Sequence, residues 1–210
     1  MKSKLIILAL MVTTLLGWSP VWAASYDESK SGEFVLKCFG CHGRNGVTGY
    51  TGFPNLAGQS ETYLFNQLKT FRDGHRQDIT MNAMPFMVKD LSDDDLLGLA
   101  GIFTSFPDEI VQMNKLTKSE AELFKKGEEI IGGTKTTCRF CHLANSSQDA
   151  PTVPEYPVLV GQQKGYLINQ IKAFRDGVRW SPIMNADLVG ELTDEEVEAI
   201  AVYLRYKKAQ

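Results

Sequence analysis

Apolar residues recur along this chain at three- and four-residue spacings and nowhere alternate over a useful length, so the pattern predicts helices and no strand. Leu64, Leu68 and Phe71 form one stripe, in a segment predicted helical from near Ser60 to Gly74. A second copy of that segment runs from about Lys164 to Asp176 and ends at Gly177. Glycine, without a Cβ, suits the position just past a helix end. Leu96, Leu99, Ala100 and Phe103 form another stripe, repeated by Val197, Ile200, Ala201 and Leu204. Each of these last helices is preceded by a capping box, Ser92-Asp93-Asp94-Asp95 or Thr193-Asp194-Glu195-Glu196. A further box, Thr117-Lys118-Ser119-Glu120, opens a helix predicted over Ser119 to Cys141 with a break at Gly132-Gly133; its earlier counterpart runs from Ser31 to Cys41.

The helical pattern is duplicated. Phe53-Pro54-Asn55-Leu56-Ala57-Gly58-Gln59 matches Tyr156-Pro157-Val158-Leu159-Val160-Gly161-Gln162. The run from Tyr63 to Gly74 likewise matches Tyr166 to Gly177, and the offset stays near 100 to 103 residues. A period this long marks a duplicated domain and not a short-repeat solenoid. The expected organisation is a signal peptide over 1–24, a first domain over 25–105, a linker over 106–116 and a second domain over 117–210. Phe106-Pro107-Asp108 supplies the breaker in the linker. Each domain is under 100 residues and poor in apolar core, so a bound apolar group is expected to complete it.

Lys2 and Lys4 precede an apolar run from Leu5 to Leu16, followed by the small-residue site Val21-Trp22-Ala23-Ala24. That is the pattern of an export signal, and the run is short for a membrane span. The whole chain carries 22 basic and 25 acidic side chains. Removing the signal's two lysines leaves 20 against 25, a net charge of −5. A mildly acidic chain does not suit nucleic-acid binding.

The chemistry lies in two short runs, Cys38-Phe39-Gly40-Cys41-His42 and Cys138-Arg139-Phe140-Cys141-His142. Cys-x-x-Cys-His is the attachment signature of a c-type haem. Two thiols on one helical turn form thioethers to the haem vinyl groups, and the adjacent histidine becomes an axial iron ligand. All four cysteines fall in these motifs, so none is left for a disulfide elsewhere. A zinc site needs about four ligands in tetrahedral array, which a histidine directly beside the second cysteine serves poorly. The expectation is two covalently bound haem c groups, held by Cys38, Cys41, Cys138 and Cys141, with His42 and His142 on iron.

The sixth iron position decides between carrying electrons and catalysis. Met184 is the only methionine of the second repeat and the natural ligand there. The first repeat offers Met81, Met84 and Met87. Counting forward from Gly74 aligns Met81 with Met184, whereas counting back from the cap at Ser92 favours Met84. Methionine also fills core gaps without any other role. Pro54 and Pro157 follow the motif histidines by 12 and 15 residues. A carbonyl there would accept from the far nitrogen of each histidine and fix the ring.

The ordered series of Cys-x-x-Cys-His, aromatic-Pro-x-Leu-x-Gly-Gln, Tyr-Leu-x-x-Gln-x-x-x-Phe-Arg-Asp-Gly, then Met before Leu-Ser/Thr-Asp, resembles class I cytochrome c. The tandem copy resembles the two-haem cytochrome c-4 family, over about Gly32 to Tyr206. The resemblance implies an all-α fold of two tandem class I cytochrome c domains related by pseudo-twofold symmetry. It implies His/Met haems, with Met84 as the first sixth ligand because the family places that residue eight before the cap serine. It also implies a periplasmic electron carrier, often loosely membrane-associated. Expected partners are redox proteins: a quinol-oxidising complex, a haem–copper terminal oxidase or, by analogy, a flavoprotein dehydrogenase. A two-haem peroxidase would need an open sixth position and a nearby acid or base, whereas both loops here offer a thioether. A sensor would need a signalling module, and none is visible.

Overall fold

The computed structural model describes residues 28–106, 116–143 and 151–207. The expected signal peptide over 1–24 and most of the expected linker lie outside them. The described residues are helical and contain no strand, as the periodicity requires. The first half contains α1 (Glu28–His42), α2 (Glu61–Arg72), α3 (Met84–Val88) and α4 (Asp93–Ser105). The second contains α5 (Lys118–Gly132), α6 (Cys138–His142), α7 (Lys164–Arg175), α8 (Ala186–Val189) and α9 (Asp194–Tyr206). None of these helices is long and apolar enough to cross a membrane.

The caps form where the sequence puts them. Ser92, Thr117 and Thr193 each accept from the backbone of the third helical residue, whose own carboxylate returns to the cap. Gly74 and Gly177 follow the ends of α2 and α7 at φ of 76° and 71°, the left-handed region that glycine enters without a Cβ clash.

Each half has its own core. In the first, Leu64, Phe71, Leu96, Leu99, Ala100 and Phe103 join α2 to α4, and Val35 brings in α1. In the second, Ile130, Ile131, Leu167, Phe174, Val197, Ile200 and Leu204 join α5, α7 and α9. The apolar stripes of the last helices are the innermost residues: Leu96 and Val197 are fully buried. Gly127 lets α5 cross α9 closely, since a Cβ there would lie 2.1 Å from the Ala199 carbonyl oxygen.

Two features refine the sequence reading. The break expected at Gly132-Gly133 is where α5 stops, and it extends to Thr137, so the haem-type motif forms a separate short α6. Gly133 takes an extended conformation, φ −84° and ψ −159°, as the C-cap of α5. The short α3 and α8 were not legible in the hydrophobic pattern, since four or five residues complete barely more than one helical turn.

Candidate functional site

Both Cys-x-x-Cys-His motifs sit at helix ends facing the interior. Cys38, Cys41 and His42 close α1, and Cys138, Cys141 and His142 make up most of α6. The four thiols form no disulfide. Burial pushes the Cys38 thiol up to about 11, and raises that of Cys138 as well. Both are therefore neutral thiols at ordinary pH.

His42 and His142 are buried, at 6% and 5% exposure. Burial lowers the pKa of each, against the opposing effect of a backbone hydrogen bond. The Nδ1 of His42 lies 3.0 Å from the Pro54 carbonyl oxygen, and that of His142 lies 3.0 Å from the Pro157 oxygen. A carbonyl only accepts, so Nδ1 carries the proton and donates. Nε2 is left with its lone pair free, the tautomer a metal ligand needs.

Met84 opens α3 and packs on the first core; Met184 packs on the second core just before α8. Met81 is 63% exposed, and Met87 is half-buried beside Met84. A carboxylate shapes the first loop. Asp78 accepts from the amides of Thr80, Ala83 and Met84 at 2.9, 2.9 and 3.2 Å. The second loop uses a hydroxyl instead: Ser181 Oγ accepts from Ile183 and Met184 at 3.3 and 3.1 Å.

A cavity of about 830 Å³ brings these groups together. Cys38, Cys41, His42 and Met84 line it from one half, and Cys138, Cys141, His142 and Met184 from the other. Leu64, Leu68, Phe71, Leu167, Ile171 and Phe174 supply much of its apolar wall. His75 and Met81 also reach the lining, although both are exposed. Among the described residues no group of three or more His, Cys, Asp or Glu is arranged to hold a metal ion directly. Thiol pairs, a buried neutral imidazole and a thioether on apolar walls are a donor set that fits one c-type haem in each half.

The cavity also holds residues that motif reading missed. Arg76 and Arg179 line it where the halves meet, with Tyr63, Tyr166, Gln67 and Gln170. Arg76 donates to Gln67 at 2.6 Å and, across the boundary, to Tyr166 at 2.9 Å and Gln170 at 3.1 Å. Arg179 mirrors it, donating to Gln170 at 2.6 Å and to Gln67 at 2.7 Å. The signal was present, since Gly-x-Arg follows both middle helices, but a single arginine two residues past a glycine looks like a solvated helix end.

A family model described as "Cytochrome C oxidase, cbb3-type, subunit III" matches residues 31–101. Cytochrome c4 of Azotobacter vinelandii is 28% identical over 211 residues, spanning 93% of this chain and 97% of that protein. The thiosulfate dehydrogenase electron acceptor of Thiomonas intermedia is 30% identical over 188 residues, spanning 87% of this chain and 81% of that protein. The crystal structure of reduced recombinant cytochrome c4 from Pseudomonas stutzeri matches with a TM-score of 0.68 at 29% identity, over 85% of this chain and 96% of that one.

Proposed function

The chain belongs to the cytochrome c4 family of two-haem electron-transfer proteins, and from that premise we propose that it relays single electrons in the periplasm through two His/Met-ligated haems. It carries two covalently bound haem c groups and is an electron carrier, not an enzyme. When bound, each haem iron supplies a one-electron ferric–ferrous couple.

In this reading Cys38 and Cys41 hold the first haem, and His42 and Met84 ligate its iron. Cys138, Cys141, His142 and Met184 do the same in the second. Pro54 and Pro157 orient the histidines through their carbonyls and make them better donors. The thioethers of Met84 and Met184 would favour the reduced iron and would leave it no open position for a substrate. The apolar walls keep water from the iron. Met84 is preferred to Met81 because it is half-buried on the core while Met81 is 63% exposed. The two domains take residues 25–105 and 117–210, joined by 106–116, after removal of 1–24.

The partners that suit this reading are redox proteins in a respiratory or sulfur-oxidising chain. Upstream these are a quinol-oxidising complex or a dehydrogenase, and downstream a haem–copper terminal oxidase. The similarity to a thiosulfate dehydrogenase electron acceptor supports the sulfur-oxidising alternative. A periplasmic location is supported by the export pattern at the N-terminus, and peripheral membrane association by the family resemblance alone.

The observation that carries this reading is the pair of Cys-x-x-Cys-His motifs, each with a half-buried methionine lining the same cavity. The test is a haem count per chain with oxidised and reduced visible spectra of the exported protein. Two c-type haems, the weak red absorbance of ferric iron–thioether bonding, and no carbon monoxide binding when reduced are expected. High-spin bands with carbon monoxide binding at both irons would overturn the His/Met reading.

A further inference from the structure

The middle helices α2 and α7 are copies of one another, yet they begin differently. Ser60 caps α2 from within its own half, its Oγ accepting from the Tyr63 amide at 3.1 Å. The equivalent residue of the second half, Gln163, gives α7 no side-chain cap. Its side-chain amide turns instead to the Thr48 carbonyl at 2.7 Å and to Asn55 Oδ1 at 3.2 Å. The cap of α7 comes from the first half. Thr51 Oγ1 accepts from the Gly165 amide at 3.0 Å, and the Thr51 carbonyl accepts from the Tyr166 amide at 2.8 Å. Gly165 permits this approach, since a Cβ there would lie 2.8 Å from the Thr51 carbonyl oxygen. The counterpart of Thr51 is Pro154, which has no hydroxyl and only accepts, through its carbonyl, from Ser60 Oγ. Both middle helices therefore start on a hydroxyl of the first half.

Thr51 is itself held on both sides by the first haem-type motif. Before it, Thr48 Oγ1 donates to the Cys41 carbonyl at 2.7 Å. After it, the Phe53 ring lies 6.4 Å from the His42 ring, and the Pro54 carbonyl accepts from His42 Nδ1 at 3.0 Å. The helix that Thr51 caps carries Leu167, Ile171 and Phe174 into the cavity wall of the second half. Leu167 is 3% exposed, shares a core with Met184, and closes the first turn of α7 through its amide on the Gln163 carbonyl at 2.9 Å. A cap hydroxyl holds that first turn in place. We propose that Thr51 is a positioning residue for the second haem: from the loop that holds the first axial histidine, it caps α7 and fixes the apolar wall over the haem of the other half.

Loss of the Thr51 hydroxyl takes no hydrogen bond from His42 or from the Met84 loop of its own half. It frees the first turn of α7, and with it Leu167, so water gains access to the second haem's wall. The ferric centre carries one more positive charge than the ferrous and is favoured where water reaches it. A substitution in the first half is therefore read at the haem of the second.

This inference rests on the two-haem reading above, and the test separates the two. Fewer than two haems per chain in the unaltered protein, or no red iron–thioether band, would strike that reading itself. With both present, haem-loaded Thr51→Ala is compared with the unaltered protein; it keeps the carbonyl contact to Tyr166 and removes only the hydroxyl. Amide exchange at Gly165 and Leu167 should quicken about five-fold. A redox titration followed on the NMR signals of the two bound methionines reads each haem separately. The second ferric–ferrous equilibrium should shift at least about two-fold toward ferric while the first stays in place. Thr51→Ser, which restores the hydroxyl, should restore both readings. An unmoved second haem, a shift without quicker exchange, an equal shift at both haems, or no rescue by serine overturns the proposal. Where Thr51→Ala does not load two haems, Gly165→Ala answers from the other side. Alanine favours a helix over glycine, yet the added carbon displaces Thr51, so the second equilibrium should still move toward ferric. No shift there overturns the proposal.

Discussion

The side-chain amide of Gln59 closes a ring on the backbone of Val158, donating to its carbonyl at 2.8 Å and accepting from its amide at 3.0 Å. Gln162 makes the reciprocal ring on Asn55, donating at 2.9 Å and accepting at 2.7 Å. The pairs Gln59/Gln162 and Asn55/Val158 stand at the same offset of 103 residues. The two halves therefore meet through a repeated element, about a pseudo-twofold axis. Each glutamine pairs with two backbone groups, buried at Asn55 and half-buried at Val158.

Gln59→Ala should leave those two Val158 groups unpaired at a cost of about 2–4 kcal/mol in total, and Gln162→Ala should cost the same at Asn55. Urea unfolding of the haem-loaded protein measures this. Amide exchange should also quicken at Val158 in the first variant and at Asn55 in the second. A loss below about 0.5 kcal/mol in either would show that water replaces the side chain without penalty.

The methionine choice has a direct spectroscopic consequence. Met84→Leu should remove about half of the red iron–thioether absorbance and let carbon monoxide bind one reduced haem per chain. Met81→Leu should change neither, because its side chain is 63% exposed in the present arrangement. The reverse result would transfer the ligand role to Met81 and require the Asp78 loop to re-form around it.

Gly127 sets how closely α5 and α9 pack. A Cβ at this position would lie 2.1 Å from the Ala199 oxygen and 2.7 Å from Tyr203 Cβ. Gly127→Ala forces two closely packed helices apart, so a loss of about 1–3 kcal/mol is expected on denaturant unfolding. Gly132→Ala is the control, with nothing within 4 Å of the added carbon, and should be neutral or stabilising by up to about 1 kcal/mol. Equal effects of the two would mean that the helices separate freely.

Glu196 links acid stability to the second motif. It completes the capping box of α9 and pairs with Lys135, three residues before Cys138. The Lys135 partner, followed by the Thr193 backbone, depresses its pKa from 4.5 to about 2. A depressed folded-state pKa contributes stability that is present above pH 4.5 and lost as pH falls toward 2. The stability difference between the unaltered protein and Glu196→Gln should therefore be constant above about pH 5 and shrink toward pH 2. A difference that held its full size at pH 2 would assign the effect to packing and not to charge.

The motifs and caps were legible because their physics is local. Cys-x-x-Cys-His needs one helical turn, and Ser92, Thr117 and Thr193 announce themselves by the acid three residues on. The apolar stripes of α4 and α9 were legible because a buried face needs helical periodicity. The contacts between halves were not, because the partners lie about 100 residues apart and each looks like a surface residue alone. Gln59, Asn55 and Arg76 acquire their roles only when the second copy is folded against them. The break between α5 and α6 was half legible: Gly132-Gly133 marked the stop and the motif marked a helical turn at Cys138, but nothing marked how far residues 133–137 leave the helix.

Asp78 and Ser181 occupy equivalent places yet differ by a full charge. Asp78 is held ionised by the backbone amides of its loop, which lower its pKa against the opposing effect of burial, and its field reaches the His42 ring. Ser181 offers the same loop geometry with no charge. A carboxylate near an iron favours the ferric state, so this pair alone lowers the first potential relative to the second. A unit charge about 10 Å away at an effective dielectric near 20 is worth on the order of 1–2 kcal/mol, or roughly 40–90 mV for one electron. Asp78→Ser should raise the first potential by up to that amount and leave the second nearly unmoved. Ser181→Asp should lower the second while leaving the first. Resolved redox titrations of the two variants decide the matter: if Asp78→Ser leaves both potentials within about 10 mV of their original values, the loop amides already cancel the carboxylate's field, and its role is to shape the Met84 loop alone.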